Sequence, residues 1–190
     1  MPVRNLAALA IALAFPAAAL AQASQSIDAA RSRIRFAFRE MNVPVEGGFR
    51  RFGATVSFDP ARPEATKARF EVDLGSIDLG SPEGETEVRR KTWLDVAAFP
   101  TATFIAAAVK ATGPGRYVAT GALTIKGTSL EVTAPFTVTD AAGMRTVEGR
   151  FPIKRLQFRI GEGPWSDTAT VADEITVSFR FVIPVDAPRG

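Results

Sequence analysis

No histidine and no cysteine occur among the 190 residues. Without histidine the chain builds no Ser-His-Asp triad and no histidine metal site; without cysteine it has no Cys-His pair, no thiolate site and no disulfide. Nor is there a cysteine to carry a lipid anchor. A surplus of one charge is also missing, since 23 Lys and Arg face 20 Asp and Glu. The densest basic run, Arg89-Arg90-Lys91, lies beside Glu85 and Glu87 and reads as a solvated helix face. A nucleic-acid partner is therefore not expected. Most catalytic chemistry and all the usual soft metal ligands are gone, so neither a metal nor a cofactor is expected.

What is there is alternation. Ile34, Phe36 and Phe38 alternate with Arg33, Arg35 and Arg39; Ala68, Phe70, Val72 and Leu74 alternate with Lys67, Arg69, Glu71 and Asp73. Ile175, Val177, Phe179, Phe181 and Ile183 repeat the pattern near the end. A two-residue period puts the apolar side chains of a strand on one face. Many such strands in one domain must share an interior, either a sandwich core or the inside of a barrel. Fourteen Phe, against two Trp and one Tyr, supply much of that interior.

Residues 1–23 read as a cleaved leader. Arg4 gives the positive start, Leu6 to Leu20 the apolar stretch, and Ala19-Leu20-Ala21 or Ala21-Gln22-Ala23 the small residues at a cleavage site. A membrane anchor needs about 20 clean apolar residues, and Pro16, Gln22 and Ser24 interrupt this one. Export is the expectation, and in a bacterium that means the periplasm or the medium. Residues 24–190 then form one domain, long enough for a full core and too short for two.

Strands are predicted over 33–41, from Phe49 through Phe52 to Phe58, and over about 66–74, 101–110, 116–125, 130–138, 144–152, 156–160 and 173–184. Asn42 to Gly48 reads as the end of the first, because Pro44 cannot donate to a ladder and Gly47-Gly48 marks a turn. One helix is predicted from Ser81-Pro82-Glu83 to about Leu94, with Val88 and the Trp93-Leu94 pair facing inward. Short connections favour antiparallel neighbours. The fold class is all-β: an antiparallel barrel of about eight to nine strands with one short helix, a sandwich being the other solution. Carboxylates such as Asp73, Glu85, Glu162 and Asp173 are available for a hydrolase acting on wall polymers, but nothing places two at a catalytic separation. Gly161-Glu162-Gly163 precedes Pro-Trp rather than a helix, so it is no phosphate loop. No catalytic residue is assigned.

Ile27-Asp28, Ser32-Arg33-Ile34-Arg35-Phe36, Met41-Asn42-Val43 and Gly47-Gly48-Phe49-Arg50-Arg51-Phe52 stand in an order that resembles the YceI-like (polyisoprenoid-binding) family. Phe58-Asp59-Pro60, Asp73 to Gly80, Trp93-Leu94-Asp95, Phe99 to Phe104, Gly121 to Thr128 and Phe158 to Trp165 continue it over essentially the whole mature chain. The resemblance implies a lipocalin-like barrel with a long apolar pore. It also implies a ligand with a polyisoprenoid tail, either an isoprenoid quinone or a polyprenyl phosphate, periplasmic residence and no enzymatic activity. Arg31-Ser32 stands where the family commonly has His-Ser.

For such a pore, the expected lining is Phe36, Phe38, Phe58, Phe70, Val72, Phe104, Leu123, Phe136, Phe158, Val177 and Phe179, all on apolar strand faces. Each would serve a filled core equally well. Trp93, Phe99 and Trp165 are expected at the mouth, where amphipathic aromatics close an opening. Arg155 and Arg159, on a strand's polar face, are candidates to meet a phosphate head group. Transient membrane contact and a homodimer are further expectations. The competing reading is a structural or stress-response interaction protein with a packed β core and a surface site for its partner.

Overall fold

The computed structural model describes residues 25–185, so the leader predicted over 1–23 lies outside the described residues. The eleven strands are β1 (Gln25–Ser26), β2 (Arg33–Glu40), β3 (Val43–Phe49), β4 (Phe52–Ser57), β5 (Lys67–Asp73), β6 (Ile77–Asp78), β7 (Thr101–Gly113), β8 (Arg116–Ile125), β9 (Thr128–Ala141), β10 (Met144–Lys154) and β11 (Glu174–Pro184). The helix α1 spans Pro82–Val88. Every strand belongs to one sheet, in the order β1-β4-β5-β7-β8-β9-β10-β11-β2-β3-β6, with antiparallel neighbours throughout.

That order conceals a near closure. β3 runs through Arg50-Arg51 into β4, and β5 runs through Leu74–Ser76 into β6. β4 pairs with β5 on one side of the bend and β3 with β6 on the other. The bent hairpin therefore joins β2 to β7, and the sheet curls into a barrel-like wall. Serine and arginine secure the corner: Ser76 Oγ accepts from Arg51 N at 2.9 Å, and Arg51 pairs with Asp73 at 2.8 Å.

Three of the two-residue hairpins turn at Met41-Asn42, Lys126-Gly127 and Ala142-Gly143. All six of these residues have positive φ, the twist that a two-residue hairpin needs to match its strands. The first corrects the sequence reading. Val43–Phe49, expected as a strand end, is a strand paired with β2 along its length. Pro44 is tolerated there because β3's outer edge is paired only at Gly48 and Phe49. The glycines do not turn the chain; Gly47 makes room for the Phe36 ring, as shown below, and Gly48 for the Ile34 carbonyl.

Two other expectations are corrected. The helix stops at Val88, six residues early, because Arg90 O accepts from both Trp93 N and Asp95 N and Asp95 turns left-handed at φ +49°. The predicted strand at 156–160 is instead a 3-10 turn, Arg155–Phe158, with Arg159 at φ +59°. Its alternation of Leu156, Phe158 and Ile160 is genuine, but Arg155 draws the chain back on itself by donating to the carbonyls of Ile160 and Gly161 at 2.9 and 3.1 Å.

At the end of the barrel away from α1, Arg145 clasps the β9–β10 hairpin. Its guanidinium grips the Asp140 carboxylate at 2.8 and 2.7 Å and donates to Phe58 O at 3.1 Å. Those hydrogen bonds hold the Asp140 carboxyl below its ordinary value, against a smaller opposing effect of desolvation. The resulting stabilisation is present above the unfolded carboxylate's value and is lost as pH falls through the folded one. The native protein should therefore melt above Asp140→Asn at pH 7, and the gap between the two melting curves should close as pH falls below the ordinary carboxylate range.

Candidate functional site

The inward faces of the strands meet in part, as where Phe70 of β5 stacks on Phe181 of β11 at 4.6 Å, and leave apolar space between them elsewhere. They enclose an apolar channel of two chambers. The far chamber, away from α1, and the near chamber, beneath α1, each have a cavity volume of about 150 Å³. Ile34, Val72, Ala102, Leu123, Phe151 and Val177 border both. These six form a waist shared by the two chambers. No charged side chain lines either chamber.

Phe58, Phe70, Phe104, Phe136 and Phe179 line the far chamber; Phe36 and Phe38 line the near one; Val72, Leu123 and Val177 stand at the waist. Phe158 borders neither. It is 1% exposed and lies in the solid core at the near end, because the 3-10 turn carries it off the barrel wall. Trp93 lines the near chamber with 8% of its surface exposed, and Trp165 packs on it at a centroid distance of 5.4 Å. Phe99 lines neither chamber. It lies outside the lumen over Gly127, where a Cβ would come within 2.8 Å of its ring.

The two arginines proposed for a head group are placed differently. Arg155 has no exposed surface. Its fork donates to five backbone carbonyls, those of Ala172, Ile160, Gly161, Trp165 and Val171, at 2.7–3.1 Å. Burial pushes its pKa down, and the Asp173 carboxylate works against that. Every N–H of the fork is engaged, so none is left for a ligand. Arg159 is on the surface, 3.0 Å from Glu162 and away from both chambers.

Three glycines explain why so many rings leave a lumen. A Cβ on Gly47 would lie 2.5 Å from Phe36 Cζ, on Gly121 2.8 Å from Phe104 Cζ, and on Gly149 2.5 Å from Phe179 Cζ. Gly47 faces Phe36 and Gly149 faces Phe179 directly across neighbouring strands; Gly121 is the diagonal neighbour of Phe104. Each ring lies back on its glycine, along the wall. Phe181 stacks on Phe179 along β11 at 5.2 Å and on Phe70 of β5, a strand β11 does not pair with, at 4.6 Å. Sequence reasoning missed these glycines, although an isolated strand glycine signals a close approach. Gly149→Ala must push Phe179 into the lumen or part the strands, because Pro135 O is also 2.5 Å away. The expected cost is about 1–3 kcal/mol of stability, as for other overpacked cores, read as a lowered melting temperature. Gly53→Ala, which meets nothing within 4 Å, should change little.

Every resolved carboxylate shift is downward: Asp59, Asp73, Glu85, Asp140, Glu162 and Asp167 are all held ionised by hydrogen bonds or arginine and lysine neighbours. A glycosidase acid needs the opposite shift. Among the described residues, no three carboxylates cluster as a metal site would require.

A family model described as a YceI-like domain matches residues 25–183. A UPF0312 protein of Azotobacter vinelandii is 32% identical over 133 residues, 68% of this chain and 69% of the relative. Among solved structures, BcnA of Burkholderia cenocepacia superposes with a TM-score of 0.80 at 41% identity, over 82% of this chain and 98% of BcnA. A polyisoprenoid binding domain from Saccharophagus degradans, implicated in plant cell wall breakdown, superposes with a TM-score of 0.68 over 85% of this chain and 98% of that domain. At 15% identity that last likeness speaks for the fold alone.

Proposed function

The chain belongs to the YceI-like family, and from that premise we propose that it is a binding and carrier protein for a long isoprenoid lipid held in the lumen. The observation that carries this reading is the uncharged, apolar interior of the barrel, two chambers that share six lining residues. Burying a methylene contributes about 0.8 kcal/mol, so each five-carbon unit offers a few kcal/mol gross. Ordering the flexible tail takes much of that back. Affinity should then follow tail length and tolerate chemical variation along the tail. With an exported leader, the working compartment of this reading is the periplasm, where a lipid crossing between membranes needs a shielded route. No reaction is assigned, and the lipid is cargo rather than cofactor.

The alternative, a packed structural module acting through its surface, calls for a filled interior. Of the exposed large apolar residues, Met41 and Val43 lie together at the β2–β3 hairpin, while Phe99 and Ile105 lie before and within β7. The reading is tested on protein isolated gently from its producing cell. Native mass spectrometry should show a mass adduct that organic extraction removes, with the mass of a polyprenyl lipid. Protein that emerges without any adduct, and takes up no long-chain isoprenoid when offered one, overturns it.

A further inference from the structure

Resting on the carrier reading, we propose that the outer wall of the barrel over β8, β9, β10, β11 and β2 is the face that docks the protein on an anionic lipid bilayer. The strand register places the charges. Arg116, Thr137, Glu148, Arg180 and Arg33 are successive cross-strand neighbours in one row. Two residues along, the same face carries Lys110 opposite Val118, and Arg150 and Arg35 on either side of Ser178. Phe136, Phe179 and Ile34, each one residue away, line the far chamber, so the charged side chains point outward.

Within these two rows six cations meet a single carboxylate, Glu148, which holds Arg180 at 2.8 Å. Among the described residues, the other five have no carboxylate within ion-pair distance. Arginines elsewhere on the surface do: Arg50 faces Asp78, Arg51 faces Asp73 and Arg69 faces Glu71. Arg180 also lies directly opposite Arg33, and like charges so placed cost stability. An anion lying on the wall offsets that cost. The wall sinks there into an open groove of about 540 Å³, lined by four of the arginines together with Thr112, Thr137 and Ser178. Guanidinium forks and hydroxyls are the donors that suit phosphate oxygens.

The groove selects bilayer headgroups over a protein partner. Stable protein interfaces centre on buried aromatic or methionine anchors, and none of the exposed large apolar residues Met41, Val43, Phe99 and Ile105 lines this groove. Adsorption to an anionic leaflet needs no anchor, only basic side chains within a Debye length of it. A carrier whose cargo dissolves in membranes has to meet that surface to collect and deliver it.

Vesicle sedimentation at low salt tests the proposal on three forms of the mature protein: native, Arg33→Ser with Arg150→Ser, and a charge-matched control, Arg69→Ser with Arg90→Ser. The native protein should bind phosphatidylglycerol vesicles, should not bind phosphatidylcholine vesicles, and should be released by salt. The first double variant should lose about tenfold or more in affinity, because each basic residue near an anionic leaflet contributes about fivefold. The control should stay within about twofold of native. Relieved of a like-charge pair, the double variant should melt no lower than the native protein; if it folds poorly, Lys110→Ser with Arg116→Ser takes its place. An isoprenoid offered in dilute detergent should enter all three forms alike, since none of the changed residues lines the lumen. No binding to phosphatidylglycerol, equal binding by the double variant, or capture of soluble polyglutamate in place of the vesicles overturns the docking face and leaves the carrier reading standing. Failure of every form to take up the isoprenoid overturns the carrier reading instead.

Discussion

Ala102→Trp is expected to abolish binding of a long isoprenoid while the protein still folds. Ala102 is 6% exposed and borders both chambers at the waist. It faces Val72 across β5 and β7, and its methyl is replaced by an indole that fills the narrowest part of the lumen. A tail that spans both chambers would then reach only one. Excluding two methylenes from burial, at about 0.8 kcal/mol each, already weakens binding about tenfold. Excluding two isoprene units should therefore weaken it by more than about a hundredfold. Overpacking should cost about 1–3 kcal/mol of stability, so binding and melting are measured together. Ile105→Trp is the matched control, on the outward face of the same strand at 44% exposure; it should bind as the native protein does. Undiminished binding in a folded Ala102→Trp would mean that the ligand never passes the waist.

Arg155→Met should lower stability by about 3–5 kcal/mol, the range for removing one partner of a buried charged network. In a chain of this size that is a fall of about 10 °C or more in melting temperature. The methionine fills much of the same space, but five carbonyls lose their donor at once. Those carbonyls belong to Ile160, Gly161, Trp165, Val171 and Ala172, so the loops they sit on should loosen first. Gly161 N and Glu162 N both donate to Thr92 O, and this carries the disturbance to Trp93 and the near chamber. Amide exchange over 160–172 should rise in Arg155→Met well before global unfolding. Arg155→Lys keeps the charge but not the planar fork, and should recover only a minor part of the loss. A melting temperature within 2 °C of native would show that the loops hold without the fork.

The strands whose inward and outward residues alternate cleanly, such as β8 and β9, were legible because burial on one face selects their residues two by two. Where expectation and structure part, a distant partner decides. Gly47 and Gly48 read as a turn because the ring that occupies the space over Gly47 belongs to another strand. Leu156, Phe158 and Ile160 read as a strand because nothing local announces that Arg155 will reach forward to carbonyls five to seventeen residues on. Arg155 itself was assigned to the surface by the usual behaviour of arginine. Its burial rests on acceptors supplied by loops with no sequence signature. The waist was invisible for a related reason: Ala102 matters for what it leaves empty, and an alanine on an apolar face does not declare which side chains fail to reach it. Trp93 was read as a mouth residue from its loop position, whereas its fold neighbours bring it into the chamber wall.

The central claim is that the Phe-clad lumen is open from Phe58 to Trp93 and is occupied by one extended apolar molecule. A high-resolution electron-density map of the protein as isolated from its producing cell tests it directly. The account predicts continuous tubular density running past Ala102 and Leu123. Side chains meeting across the waist, with no density between them, would contradict it.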